Sequence, residues 1–401
     1  MECRVCNSRN LESVIDLGSQ PWCNHFLRLE EVGKEPFYPL RVLFCHDCTT
    51  AQLDYTVKKE IMFGDHTYLS GVTKSLSKHF EEVAQEIDQQ FGARWDHKSV
   101  LDIGSNDGTQ LKHFQALGYE VIGVESSKTT AKMANDAGVP TLNEFFNEEL
   151  VQTLNKQYQV INASGVFFHL EELHSVCRGI KAGLADDGVF VVQFLYMPSI
   201  VENLAFDQIY HEHLLYYSLQ TINTLLQRHE LEMFDARLAP IHGGSMIAYV
   251  SHAGKEQPTE RLKQLKQTEQ DSGFNAIETY QQFDRDIKKL RLENQAYLQS
   301  KKAQSKTVYA MGAPVKGNTL LNYFNVGPDL VQGLVEINTL RKGLYSPGMH
   351  IPILMEDELP INPDVYYVLA WNFKQEILKR YADLIEKGVE FYFPVNPKIS
   401  A

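Results

Sequence analysis

The sequence predicts a multidomain α/β protein, in which a small metal-bound N-terminal domain precedes two Rossmann-like units of parallel strands and helices. Two C-x-x-C pairs stand near the start of the chain. Strand-like and helix-like segments alternate over 99–194, and the same alternation begins again at residue 307. The chain has 401 residues, too many for one ordinary hydrophobic core, so we expect domains at 1–60, 61–300 and 301–401.

The composition is that of a globular protein, with 43% apolar and 22% charged residues. Asp and Glu total 51 against 38 Lys and Arg, and the net charge of −13 makes a phosphate backbone a poor partner. We find no apolar run long enough to cross a bilayer, and the first ten residues lack the apolar segment of a secretory signal. We therefore expect a cytoplasmic protein that binds neither nucleic acid nor membrane.

The two pairs, Cys3 with Cys6 and Cys45 with Cys48, indicate metal ligands in a reducing compartment more than disulfides. A tight turn can aim both thiolates of a pair at one ion, and two such turns complete the tetrahedral sulfur site typical of structural zinc. A redox-active C-x-x-C is the alternative, but that motif normally opens a helix in a βαβ unit, and here there are two. We predict a zinc ion that builds the fold and offers no open position for chemistry.

We expect residues 1 to about 55 to form short, turn-rich segments, which a bound metal ion holds together in place of a hydrophobic core. Apolar residues at steps of three and four predict a helix over 74–91. Strands are predicted at 99–103, 119–124, 159–163 and 188–194, separated by helices at 110–117, 128–137 and 173–184. Further on, we predict a helix over 216–232, a turn and strand over 243–250, one long polar helix over 259–303 as an interdomain strut, and strands at 307–311, 333–337, 365–370 and 390–395.

A glycine loop, V-L-D-I-G-S-N-D-G-T, ends the first of these strands. It lacks the G-x-G-x-x-G of dinucleotide-binding proteins, and D-x-G-x-x-x-G is instead the pattern of class I S-adenosylmethionine (SAM) methyltransferases. Gly104 permits close approach of the backbone to a nucleoside, and Glu125, closing the next strand, can accept hydrogen bonds from both ribose hydroxyls. Another nucleotide loop or a simple tight turn remains the alternative. The expected cofactor-binding residues are Asp102, Gly104, Asn106, Gly108 and Glu125.

Tyr210, His211, Glu212 and His213 stand in a row beside aromatic residues. Only histidine has an ordinary pKa near neutrality, so one of these imidazoles is a candidate general base. A neighbouring carboxylate can fix its tautomer, and a phenol can donate to a developing oxyanion. Taken alone, the row also fits a metal site or a polar surface strip.

Together the motifs resemble those of the sugar C-methyltransferases, which install a branching methyl on nucleotide-linked 4-keto deoxysugars. The resemblance covers the whole chain through motifs that occur in order: C-R-V-C with C-H-D-C, L-D-I-G-S-N-D-G-T, Y-H-E-H, H-G-G-S, G-A-P-V-K-G-N-T-L-L-N, S-P-G-M-H-I-P-I and L-A-W-N-F. It implies a zinc-bearing N-terminal domain, a SAM-binding middle domain and a C-terminal Rossmann-like domain that helps to close the sugar-nucleotide site.

The resemblance also implies roles for residues. His213 corresponds to the base that removes the C3 hydrogen beside the C4 ketone, so that the enolate can attack the methyl group of SAM. Tyr210, Glu212, His169 and Tyr68 correspond to the other catalytic residues.

The implied substrate is a nucleotide-diphosphate sugar, and we expect a monomer or a weak homo-oligomer. Two alternatives from other classes stay open: O- or N-methylation of a small molecule on the same scaffold, and a zinc-ribbon interaction protein with a degenerate methyltransferase domain. In the C-terminal glycine loop, Lys316 could bind phosphate, but a packed βα turn that binds no second cofactor is the favoured interpretation.

Overall fold

The structure, a computed structural model, describes residues 1–63, 69–72, 74–359 and 362–395. Its first elements are β1 (Leu11–Pro21), β2 (Phe37–Cys45), β3 (Ala51–Leu53) and α1 (Lys59–Phe63). The prediction of short, turn-rich segments is wrong here, because β1 and β2 pair antiparallel along most of their length. Leu40, Val42 and Phe44 are buried at alternate positions of β2, so an apolar core lies beside the cysteines.

The middle region alternates helices and strands, as the sequence predicts. Its elements are α2 (Lys74–Phe91), β4 (Ser99–Ile103), α3 (Thr109–Ala116), β5 (Glu120–Val124), α4 (Lys128–Asp136), β6 (Thr141–Leu142), α5 (Glu148–Leu154), β7 (Tyr158–Ser164), α6 (Leu173–Gly183) and β8 (Leu184–Leu195). Helix α2 has the predicted bounds, and β4, β5, β7 and β8 overlap the predicted strands. This part of the fold prediction is confirmed.

The region after β8 differs from the prediction in two places. It contains α7 (Met197–Glu202), β9 (Leu215–Tyr216), α8 (Leu219–Gln227), β10 (Leu231–Ala239), β11 (Ser245–His252), α9 (Glu260–Asp271) and α10 (Ile277–Ala303). A single helix over 216–232 is wrong, since α8 is shorter and the unpredicted strand β10 forms a hairpin with β11. A single helix over 259–303 is also wrong, because Gly273 takes a φ of 72° between α9 and α10, a left-handed conformation that commonly ends a helix.

The middle sheet has the strand order β10-β11-β8-β7-β4-β5-β6, and β11 runs antiparallel to both of its neighbours. From β4 the chain goes outward to β5 and β6, and then crosses back to β7 on the other side of β4. Such a reversal leaves a crevice at the carboxyl ends of the strands, where open α/β sheets bind their ligands. In this sheet the crevice lies where Ile103 ends β4 and Ser164 ends β7.

The C-terminal region repeats this arrangement with parallel strands. It contains β12 (Val308–Met311), α11 (Val315–Phe324), β13 (Leu334–Glu336), β14 (Ile353–Met355), β15 (Val365–Val368), α12 (Lys374–Arg380), α13 (Ala382–Glu386) and β16 (Glu390–Tyr392). The strand order is β14-β13-β12-β15-β16, again outward from the first strand and then back across it. The predicted second Rossmann-like unit is confirmed.

Contacts between the three regions bring their side chains together. Strand β9 of the middle region pairs with β3 and extends the N-terminal sheet. Helix α10, predicted to be a strut, packs against both outer regions: the Tyr280 ring lies 5.2 Å from the ring of Phe44, and Asn294 Oδ1 accepts a hydrogen bond of 2.8 Å from the Tyr367 hydroxyl. Residues from all three regions can therefore contribute to one site.

Candidate active site

The thiols of Cys3, Cys6, Cys45 and Cys48 form one cluster, and their Sγ atoms all lie within 4.8 Å of one another. The Sγ atoms of Cys3 and Cys48 are 3.5 Å apart, and those of Cys6 and Cys45 are 3.6 Å apart. Around a zinc ion with Zn–S bonds of about 2.3 Å, tetrahedral sulfurs lie roughly 3.8 Å from each other. The cluster therefore fits the predicted zinc ion, which would be held by four protein ligands.

Two similar turns hold these thiols. Asn7 and Thr49 follow the two pairs with φ angles of 63° and 62°. The main-chain N–H of Asn7 donates to the carbonyl of Cys3 over 2.9 Å, and that of Thr49 donates to the carbonyl of Cys45 over 2.8 Å. A zinc ion bound here would stabilise the N-terminal sheet, because β2 ends at Cys45.

The glycine loop, residues 104–109, begins at the carboxyl end of β4, inside the crevice of the middle sheet. Gly104 and Gly108 take φ angles of 70° and 76°, which L side chains rarely adopt. A Cβ at Gly104 would lie 2.9 Å from Val166 Cγ2, and one at Gly108 would lie 3.0 Å from Val139. Both positions therefore require glycine, because the chain's own valines pack against the loop where a side chain would lie.

Glu125 follows β5 and closes the loop from the side. Its Oε2 accepts the main-chain N–H of Asn106 over 2.8 Å, and its Oε1 accepts that of Ser127 over 2.8 Å. Burial raises the pKa of this carboxyl, and the two N–H groups oppose that shift. The hydroxyl of Thr130 also stabilises this carboxylate, whose remaining lone pair can still accept from a ribose hydroxyl of SAM.

Asp102 and Asn106 have other neighbours. Asp102 is buried within the sheet, where Asn162 Nδ2 donates to Oδ1 over 2.6 Å, and burial raises the pKa of Asp102 to about 7. Asn106 Oδ1 accepts the main-chain N–H of Ser70 over 2.9 Å. The structure thus connects Asp102 to the strand beneath the crevice, and Asn106 to the segment that precedes α2.

The segment 164–169 runs from the glycine loop to the row of titratable residues. Val166 packs where a side chain at Gly104 would lie, and the main-chain N–H of His169 donates to the carbonyl of Val166 over 2.9 Å. The Phe168 ring packs against both histidine rings, with its centroid 4.5 Å from that of His169 and 4.6 Å from that of His213. Val166 therefore contacts the expected cofactor loop, and Phe168 and His169, in the same segment, contact the expected base.

His213 is buried, and its hydrogen bond defines its tautomer. Nδ1 lies 2.7 Å from the main-chain carbonyl of Gln208, which can only accept, so Nδ1 carries the hydrogen and the lone pair is on Nε2. Burial, and next the nearby His169, hold the pKa of His213 well below its ordinary value. The imidazole is therefore neutral at pH 7, the form in which it can accept a proton.

His169, Tyr210 and His213 form what we call the ring cluster. The ring centroid of Tyr210 lies 3.8 Å from that of His213, and the centroid of His169 lies 5.1 Å from it. The Nδ1–H of His169 donates to the main-chain carbonyl of Glu212 over 2.5 Å. The phenol of Tyr210 adds a hydroxyl, which can donate a hydrogen bond, to the two imidazoles of the cluster.

The other two residues of the Y-H-E-H motif point toward the N-terminal domain. Glu212 Oε1 accepts the indole N–H of Trp22 over 2.7 Å, and burial raises the pKa of Glu212 to about 7. The His211 ring lies edge-on to Tyr38 at 5.7 Å between centroids, and burial lowers its pKa to about 4. His211 is thus directed away from the ring cluster, while Glu212 links that cluster to the zinc-binding region.

Tyr68 lies outside the described residues, so its place in the catalytic site stays a prediction. Phe63, the last residue of α1, has its ring centroid 5.2 Å from that of His169. The chain that precedes Tyr68 therefore reaches the ring cluster.

Three protein families match the chain in order: a zinc binding domain over residues 3–63, a methyltransferase domain over residues 76–235, and the C-methyltransferase C-terminal domain over residues 240–396. The C-methyltransferase NovU of Streptomyces niveus is 30% identical over 405 residues, covering 99% of this chain and 96% of its own length. The chain belongs to the sugar C-methyltransferase family. It is a SAM-dependent methyltransferase, and membership of this family favours C-methylation over the O- or N-methylation left open by the motifs.

Solved methyltransferases show more distant similarity to this C-methyltransferase. The CcbJ methyltransferase from Streptomyces caelestis is 17% identical, with a TM-score of 0.36, and the match covers 44% of this chain and 90% of that one. A SAM-dependent methyltransferase from Clostridium acetobutylicum is 12% identical, with a TM-score of 0.37, over 44% of this chain and 92% of that one.

The C-terminal glycine loop of the C-methyltransferase has no open counterpart of the SAM site. Glu336 ends β13 much as Glu125 follows β5, and its Oε2 accepts the main-chain N–H of Ala313 over 3.1 Å. However, Arg341 Nη1 lies 3.2 Å from the same oxygen and also donates to the carbonyl of Ala313. Because Glu336 and Arg341 both bond to the main chain of this loop, the structure favours the packed-turn interpretation.

Sequence reasoning missed Trp22, Gln208 and Trp371, which contact site residues or their neighbours. Gln208 supplies the carbonyl that orients His213, and the only signal for it was its position five residues before that histidine. Trp22 lies 190 residues from Glu212, so no local pattern could reveal the bond between them. No helix in the part of the chain that the structure describes is both long enough and apolar enough to cross a membrane.

Proposed function

We propose that this C-methyltransferase adds a methyl group to C3 of a nucleotide-diphosphate-linked 4-keto-6-deoxysugar. The support is the set of family motifs together with the similarity to a curated C-methyltransferase. We also propose that the enzyme acts as a monomer or a weak homo-oligomer. A panel of substrates determines whether the sugar is linked to thymidine diphosphate or to guanosine diphosphate.

A carbonyl at C4 acidifies the hydrogen on C3, since the resulting carbanion delocalises onto oxygen. We assign removal of this hydrogen to His213, because its Nε2 carries a lone pair and the ring is held by the carbonyl of Gln208. The developing oxyanion needs a donor. We assign that role to the phenol of Tyr210, whose ring centroid lies 3.8 Å from that of His213.

When bound, SAM supplies a methyl group on a sulfonium, which is electrophilic without further activation. The residues of the chain then have to position the two reactants and exclude water. Gly104 and Glu125 would hold the nucleoside, while the ring cluster would hold the sugar.

One observation carries the proposal: segment 164–169 joins the glycine loop to the ring cluster. Val166 contacts the position of Gly104, and His169 lies beside His213. A cofactor on the loop and a sugar against the rings would therefore be neighbours, as in-line methyl transfer requires.

The test compares His213→Gln with His211→Gln. Gln can still donate to the carbonyl of Gln208 but is not a base at neutral pH, and His211 is a buried histidine of the same motif that points away from the cluster. Wild type and His211→Gln should exchange the C3 hydrogen of a 4-keto sugar nucleotide with D2O and transfer methyl from SAM. His213→Gln should lose both activities by about a thousandfold.

A panel of thymidine- and guanosine-diphosphate sugars, each with a C4 ketone or a C4 hydroxyl, defines the substrate. Only ketones should gain one methyl group by mass spectrometry. Methylation of the C4-hydroxyl sugars, or C3 exchange at the wild-type rate in His213→Gln, would contradict the proposal.

A further inference from the structure

The turn that precedes the base contains a buried carboxylate. Asp207 is fully buried, and its Oδ2 accepts the indole N–H of Trp371 over 2.7 Å. Among the described residues, its Oδ1 has no hydrogen-bond partner. A buried carboxylate with so few partners depends strongly on those it has. A tryptophan of the C-terminal domain thus anchors the side chain of Asp207, which the main-chain N–H groups of Asp207 and Gln208 also stabilise.

Lys316 is the second C-terminal residue at this point. Its Nζ lies 3.8 Å from Asp207 Oδ2 and 3.5 Å from the centre of the Trp371 ring. The ammonium therefore contacts both the carboxylate and the aromatic face, an arrangement that stabilises a buried cation. Lys316 belongs to the C-terminal glycine loop and Trp371 to the L-A-W-N-F motif, so these two motifs meet here.

The neighbouring Gln208 is held at two points. Its main-chain carbonyl accepts from His213 Nδ1, and its side-chain amide donates to the carbonyl of His242 over 2.6 Å. Gly243, next to His242, packs directly on the indole, since a Cβ there would lie 2.7 Å from Trp371 Cη2. A displacement of Trp371 would consequently disturb both sides of Gln208.

We propose that Trp371 and Lys316 are positioning residues, which act through Asp207 on the main-chain carbonyl of Gln208 and so hold the His213 imidazole in its Nδ1–H tautomer. The catalytic part of this inference rests on the proposed function, whereas the tautomer does not. The C-terminal domain would thereby contribute to the orientation of the base.

The principal variant is Trp371→Phe, which keeps an aromatic ring against Gly243 and Lys316 but removes the N–H donor to Asp207. Its matched control is Trp95→Phe. Trp95 is also buried and donates its indole N–H to the carbonyl of Asp187, near the amino end of β8 and therefore at the opposite end of the strands from the crevice. Both variants lose one indole hydrogen bond.

The first readout is the C3–D2O exchange of a 4-keto sugar nucleotide by enzyme saturated with S-adenosylhomocysteine. Trp371→Phe should lower the exchange rate about tenfold or more, since small misplacements of a catalytic group are costly. Trp95→Phe should stay within twofold of wild type, and the Kd for S-adenosylhomocysteine should change less than twofold in both. Lys316→Met should lower exchange in the same way, and Lys316→Arg should restore most of it.

The second readout needs no substrate. In protein labelled with 15N-histidine, the His213 signal, assigned by its loss in His213→Gln, should show a protonated Nδ1 and an unprotonated Nε2 in wild type. In Trp371→Phe and Lys316→Met it should shift toward a mixture of tautomers, which a general loss of stability would not produce.

The two proposals fail in different ways. If wild type exchanges no sugar hydrogen while its tautomer is as described, the proposed function fails and the tautomer comparison still tests the positioning role. If wild type exchanges normally and folded Trp371→Phe and Lys316→Met match it in rate and tautomer, the positioning role is overturned and the proposed function stands.

Discussion

Val166 fills the space that a side chain at Gly104 would need, with its Cγ2 only 2.9 Å from the position of a Cβ on that glycine. The contact joins the expected cofactor loop to a segment that ends at His169, beside the proposed base. A change at one residue of the loop is therefore expected to affect both cofactor binding and the sugar side of the site.

The first prediction concerns Gly104→Ala, with Gly118→Ala as its control. Gly118 also has a positive φ, 85°, but nothing lies within 4 Å of its Cβ position. Both variants should lose roughly 1–2 kcal/mol of unfolding free energy from backbone strain. Only Gly104→Ala should also weaken SAM binding by about tenfold or more and slow C3 exchange. Thermal unfolding measures the loss of stability, and calorimetric titration measures the affinity for SAM. Equal affinities in the two variants would show that the contact between Gly104 and Val166 does not matter for SAM binding.

The second prediction concerns the proposed ribose contact. Glu125→Gln should weaken SAM binding about tenfold to a hundredfold, because hydrogen bonds to a charged carboxylate are stronger than those to an amide. Glu120→Gln is the control, since Glu120 begins the same strand β5 and is exposed, paired with Lys156 and His97. Titration with SAM should show no change in the control. Unchanged affinity in Glu125→Gln would remove Glu125 from the cofactor site.

The third prediction concerns pH. The pKa of Glu212 is raised to about 7, and that of His213 is lowered below its ordinary value. Glu212 is ionised above its pKa, where it binds Trp22 most strongly, so wild-type kcat/KM should fall as the pH drops through about 7. Glu212→Gln can accept from Trp22 at every pH. We expect this variant to be less active than wild type, but its kcat/KM should stay constant until the pH is below about 6.5, where His213 becomes protonated.

Measurement of kcat/KM for methyl transfer from pH 5.5 to 9 separates the two groups. An acid limb at the same pH in wild type and Glu212→Gln would show that Glu212 does not control the profile.

The fourth prediction concerns zinc. Cys45→Ala should abolish stoichiometric zinc, measured by elemental analysis, and reduce the free energy of unfolding by about 5 kcal/mol or more, since metal binding contributes directly to folding. It should also lower kcat/KM, because Trp22 follows β1 and bonds Glu212. Cys177→Ala, at a buried cysteine of α6 outside the cluster, should keep its zinc and lose only about 1 kcal/mol. Full zinc content in Cys45→Ala would contradict the assignment.

Local patterns were sufficient for much of the fold. The spacing within each cysteine pair, the apolar periodicity of α2 and the short apolar strands β4, β5 and β7 are properties of neighbouring residues, so they could be read directly. Patterns failed where pairing partners decide the structure. Strand β10 carries charges along its length and becomes a strand by pairing with β11, and β9 is too short to form without β3.

The sequence by itself determined the kinds of groups available: four thiols for a metal, a glycine loop with a following acid for a nucleoside, and a histidine-rich motif for proton transfer. The tertiary structure alone decided that His211 points toward Tyr38 and that His213 holds the Nδ1–H tautomer. It also decided that Trp22 and Trp371, from opposite ends of the chain, bond Glu212 and Asp207. The physical reason is that burial and hydrogen-bond direction depend on contacts between distant residues, which no local spacing records.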